Sequence, residues 1–108
     1  MKPRHASALA VIYWCLMTPP FTYDQSMKIA GVDKSAPIAR WHLVTTDTYS
    51  SIDACQAAQK SLGRVTQDQI DGETKQGVRM SNRMKSAKIE AAALARCIPS
   101  DDPRLGGN

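Results

Sequence analysis

A chain of 108 residues, 43% apolar and 22% charged, has room for one domain and no more. Six Gly and six Pro exclude a collagen-like chain, three Cys exclude a disulfide-dense scaffold, and no apolar run reaches the roughly 18 residues that a membrane-spanning helix needs. The formal charge of +4 is front-loaded: setting aside Lys2 and Arg4, the chain holds twelve basic and ten acidic groups. That is too even a balance for a nucleic-acid surface, which concentrates its basic residues in a stripe.

The first residues read as a targeting segment. Lys2, Arg4 and His5 make a short positive region, and Ala6–Met17 follows with twelve residues free of charge, the length of a signal-peptide apolar core. Thr18-Pro19-Pro20 ends any helix there. No small-x-small cleavage site follows the run, and Ile12-Tyr13-Trp14 is too bulky ahead of Cys15 for a lipoprotein box. The division expected is residues 1–20 as a signal or N-terminal apolar segment and 21–108 as one small domain with an irregular tail. The competing reading makes the apolar run a buried strand or helix of a cytoplasmic protein.

Residues 22–38 mix Gly, Pro, Ser and charges without a period and read as a surface loop. Arg40–Thr46 is aromatic and β-branched and predicts a short strand, with Trp41 and Leu43 on one face and His42 and Val44 on the other. A helix starts at Ser50 or Ser51, with Asp53 three residues beyond Ser50 in capping-box position. Ile52, Cys55, Ala58 and Leu62 form its apolar stripe, and Gly63 reads as its stop. Residues 64–78 then read as a linker with room for a frayed helical turn. A second helix, capped by Ser81 or Asn82 and running to about Ala95, buries Met80, Met84, Ala87, Ala91 and Leu94, with Ile89 and Ala93 widening the face. Cys97-Ile98 opens a last short strand before a tail of prolines and glycines.

Cys15 lies in the targeting segment, to leave with it or remain as a lone thiol. Cys55 and Cys97 flank the helical region of a domain whose core is thin in aromatics, the situation in which a disulfide supplies what burial cannot. Closing that loop of some 40 residues is worth about 4 kcal/mol in the chain-entropy model. A Cys55–Cys97 bridge is therefore expected ahead of two buried free thiols. Two thiols and His42 make too few ligands for zinc, so no metal and no cofactor are expected.

Three constellations bear on function. Cys55 in a first helical turn with His42 as base is the one pairing suited to thiol chemistry; the bridged cysteine beside a surface histidine is the plainer reading. Asp101-Asp102 lacks the five or more oxygen ligands of a calcium loop and reads as a turn in which Arg104 pairs with Asp102. Lys75, Arg79, Arg83, Lys85 and Lys88 offer a basic face suited to weak contact with an anionic membrane or polyanion, and otherwise simply solvated. No phosphate-binding glycine loop and no nucleophile elbow occur.

Trp14-x-Leu16-Met17-x-Pro19-Pro20 and Cys97-Ile98-Pro99-Ser100-Asp101-Asp102-Pro103-Arg104-Leu105 resemble a group of short bacterial exported proteins. These read W-Y-L-M-x-P-P after the signal peptide and C-[IV]-x-[ST]-D-D-P-R-L near the C-terminus. Here Cys15 stands where tyrosine is usual. The resemblance implies export, two retained cysteines, Trp14–Pro20 within the mature protein and a signal curtailed or missing upstream; it implies no activity. The expectation is thus a small α+β domain, two helices on a short antiparallel sheet with one disulfide, periplasmic or secreted and not an enzyme. Its binding role is undefined and its partners unknown, with no nucleic acid among them. The alternatives are a membrane-surface or polyanion module using residues 75–88, and a thiol enzyme using Cys55 and His42.

Overall fold

A computed structural model describes residues 12–106. The positive region Lys2–His5 and the first half of the apolar run lie outside the described residues. The second half of that run is a strand, β1 (Trp14–Thr18), and it occupies the middle of a three-stranded sheet. Period-2 alternation sends its side chains to two different cores. Leu16, with Trp14, packs on Cys55, Ala58, Leu62 and Ala95; Met17, with Cys15, packs on Ile38, Trp41, Ile98 and Leu105. A strand buried on both faces has no polar side, so its sequence is continuously apolar. The same quality made it resemble a signal core. Pro19 and Pro20 end it and are themselves buried.

Two strands flank β1 antiparallel. On one side is β4 (His42–Leu43), with Met17 opposite Leu43 and Thr18 opposite His42. On the other is β5 (Arg96–Pro99), with Trp14 opposite Pro99, Cys15 opposite Ile98, Leu16 opposite Cys97 and Met17 opposite Arg96. The two segments that carry the sequence resemblance thus lie side by side. Reciprocal backbone bonds between Trp14 and Tyr49 and a bond from the Val44 N–H to the Leu16 carbonyl extend the β4 side. The expected strand at 40–46 shrinks to two residues because Ile38–Arg40 is a 3-10 turn. Alternation does not run through that turn, so Trp41 is half-buried in the second core while Leu43 is 50% exposed.

The expected loop at 22–38 is instead a hairpin, β2 (Phe21–Tyr23) with β3 (Ile29–Val32), that packs on the second helix. Three- and four-residue strands are too short to show a period. What encodes them is the turn: Asp24 Oδ1 accepts from the backbone N–H groups of Ser26 and Lys28 and from the Ser26 hydroxyl. Met27 then takes the left-handed conformation, φ 65°. The Arg83–Asp24 ion pair ties the hairpin to the helix, and Lys34–Glu90 ties the segment just after it, at exposed sites where such pairs contribute little.

The first helix, α1 (Ile52–Lys75), begins where expected: Ser51 is its N-cap, and its side chain accepts from the Ala54 N–H. It does not end at Gly63. It continues twelve residues further through the stretch read as a linker, because Ile70 is buried there at 3% exposure. A mid-helix glycine costs about 1 kcal/mol against alanine, an amount that such burial offsets. The true stop is Gly77, φ 89°, where the Val78 N–H reaches the Glu73 carbonyl and the Gly77 N–H the Thr74 carbonyl. This is a Schellman closure. A Cβ added at Gly63 meets nothing within 4 Å. Gly63→Ala should therefore raise stability by about 1 kcal/mol, read as a thermal midpoint some 4–8 °C higher.

The second helix, α2 (Asn82–Ala93), is capped by Ser81, whose side chain accepts from the Met84 N–H. It buries Ala87, Ala91 and Ala92; Ala93, expected on the apolar face, is exposed, and Ala92 takes its place. Ala95 lies buried just beyond the helix end. The architecture is α+β: two helices with small antiparallel sheets in one domain.

Candidate functional site

Cys55 Sγ and Cys97 Sγ are bonded, with Cα atoms 6.0 Å apart, and Cys55 is fully buried. The bridge joins the first turn of α1 to the middle of β5. It consumes the thiol on which chemistry with His42 would depend, and His42 stands exposed on β4. Cys15 is free and half-buried on the opposite face of β1. No group of three or more His, Cys, Asp or Glu side chains suited to a metal ion occurs among the described residues.

The five basic residues do not make one face. Lys75 ends α1, Arg79 lies in the connection between the helices, and Arg83 leans toward Asp24 of the hairpin at 3.8 Å. Lys85 borders the helix connection with Arg79, whereas Lys88 borders a groove between β4 and the helices. A four-residue sequence period had aligned Lys75, Arg79 and Arg83; the helix break at residues 78–81 cancels that alignment.

A different set of side chains converges on the outer face of the sheet. Ala36 and Ile38 are buried and floor a recess of about 450 Å³ that Pro37, Ala39, Trp41 and Arg96 also line. The indole N–H of Trp41 donates to the Ala36 carbonyl at 2.9 Å, which fixes the ring. The Arg96 guanidinium lies over that ring, 5.7 Å from its centroid. β1 brings this about: Met17 pairs with Arg96 on one side and Leu43 on the other, so the sheet carries Arg96 and the segment after the 3-10 turn to the same end.

Lys34 and Arg104 stand at the rim. Arg104 is held by the turn at the end of the chain. Asp102 accepts from its Nε at 3.0 Å, its NH2 group at 2.7 Å and its backbone N–H at 2.9 Å, the bidentate geometry in which guanidinium and carboxylate match. Hydrogen bonds from Arg104, then its charge, hold the Asp102 carboxyl down to about 2. A carboxyl depressed in the fold adds stability above its unfolded value of about 4 and loses it as pH falls through the folded one. The turn should thus open between pH about 4 and about 2. An NMR titration of the Asp102 carboxyl carbon should show a midpoint near 2, moving up toward the ordinary value in Arg104→Gln.

The expected Asp102–Arg104 pair and the cysteine bridge are both present. Sequence reading missed the recess, whose members come from residues 34–41, 96 and 104. Trp41 and the Asp-Asp-Pro-Arg run each stood out, yet nothing in their spacing joins them. Comparison with protein-family models, with curated proteins and with solved structures finds no match to this chain.

Proposed function

We propose that the chain is a small exported, non-catalytic binding protein that presents the Trp41 recess on a disulfide-stapled scaffold. The observation that carries this reading is the Cys55–Cys97 bridge. Structural disulfides belong to oxidising compartments, and this one pins the sheet that holds Arg96. The sequence motifs at both ends resemble those of exported bacterial proteins, and those ends form the β1–β5 pair. A binding role is supported by the composition of the recess, in which a fixed aromatic ring and cations border an apolar floor.

The test is a fusion of the entire coding region, upstream in-frame codons included, to a reporter active only outside the cytoplasm, with non-reducing peptide mapping of the same protein. Reporter activity with Cys55 and Cys97 in one bridged peptide is the expected result. A silent reporter with both thiols free in the accumulated protein overturns it.

A further inference from the structure

We infer that the Trp41 recess binds a small organic carboxylate, with the Arg96 guanidinium holding the carboxylate and the ring and apolar floor holding its body. The inference rests on the binding reading above and adds the chemical class of the ligand.

Charge decides first. Three cations face the recess and no acid lines it. Two of the three are already matched: Lys34 pairs with Glu90 at 2.8 Å, and Arg104 with Asp102 at 2.7 Å. Arg96 has no ion-pair partner among the described residues. The recess thus presents one unmatched positive charge, which suits a monoanion better than a phosphate dianion or a polyanion. Geometry decides next. Arg96 rests on the Trp41 face through its π-contact, so its N–H fork is oriented, and a planar fork matches the two oxygens of a carboxylate. Finally, Ala36, Pro37, Ile38 and Ala39 give an apolar bed beside the ring. That bed favours a carboxylate attached to carbon over a bare inorganic anion. Little reorganisation is needed: the indole is tied to Ala36 and the rim to Asp102.

The full oxidised chain is titrated with benzoate and hexanoate, and with benzylamine, benzyl alcohol and inorganic phosphate as comparison arms. The indole N–H cross-peak of Trp41 is the reporter, since that proton sits in the Ala36 hydrogen bond; Trp41→Phe assigns it against Trp14. Both carboxylates should move it saturably, while the amine, the alcohol and phosphate should not. Arg96→Gln should weaken carboxylate binding at least about tenfold, the loss expected for a charge-assisted pair, with the Trp41 peak still dispersed as in the parent. Arg83→Gln, remote from the recess, should bind as the parent does. Saturable binding of phosphate with equal strength, unchanged binding in Arg96→Gln, or no shift with either carboxylate in the folded oxidised chain each overturns the inference. Export and bridge formation are scored separately, so an exported, bridged chain that ignores carboxylates overturns the ligand class alone. A chain that binds benzoate but stays in the cytoplasm overturns the export reading alone.

Discussion

Replacing Cys97 by Ser should lower the unfolding free energy by about 4 kcal/mol. The bond closes a loop across a sequence separation of 42 residues, and returning that loop's freedom to the unfolded chain accounts for the figure. A domain of this size commands roughly 5–15 kcal/mol in all, so the loss moves the thermal midpoint down by some 15–30 °C. Reduction of the parent should reproduce the shift, whereas Cys15→Ser, which breaks no bond, should leave the midpoint almost unmoved. Thermal unfolding with and without reductant, followed by circular dichroism, makes the comparison. Equal midpoints for the parent and Cys97→Ser would sink it.

A chain begun at Phe21 should not fold. It would lack β1, the strand through which β4 and β5 are joined, and with it Leu16 and Met17, which are 2% and 6% exposed. Cutting a single buried leucine back to alanine costs about 2–5 kcal/mol; losing the strand removes two such side chains, Trp14 and every backbone bond of the sheet. Mass spectrometry of the folded protein isolated from cells should accordingly find its first residue at or ahead of Trp14. A folded product starting at Phe21 would contradict the fold.

Much of this was legible. Ser51 and Ser81 announced both helix starts, Cys55, Ala58 and Leu62 the buried face of α1, and Cys97-Ile98 the last strand, whereas Ile52, expected on the same stripe, is 39% exposed in the first turn. These signals are local, read within one or two turns of chain. The failures share a cause: tertiary contact overrode local preference. Gly63 has the chemistry of a helix end, but burial of Ile70 carries the helix past it. Trp14–Thr18 has the composition of a signal core because both its faces are covered, one by α1 and one by the Trp41 side. The hairpin at residues 21–32 has strands too short for periodicity and a turn defined by one aspartate. The recess was the least legible feature, since Trp41 and Arg96 meet only through pairing of β1 with strands on both of its sides.

The pairing of β1 with β5 also fixes when the molecule can close. Trp14 finds its partner at Pro99, and Leu16 at Cys97, so the central strand waits for partners 85 and 81 residues further along the chain. Until then the front of the chain offers unpaired backbone, and the helices have only part of their packing surface. Contacts this distant in sequence form slowly, because the closure of a long loop precedes any gain from them. A growing chain of this design holds its central strand open until β5 has been made. Closure of β1 on β5 then sets Cys97 against Cys55, where an oxidant can join them.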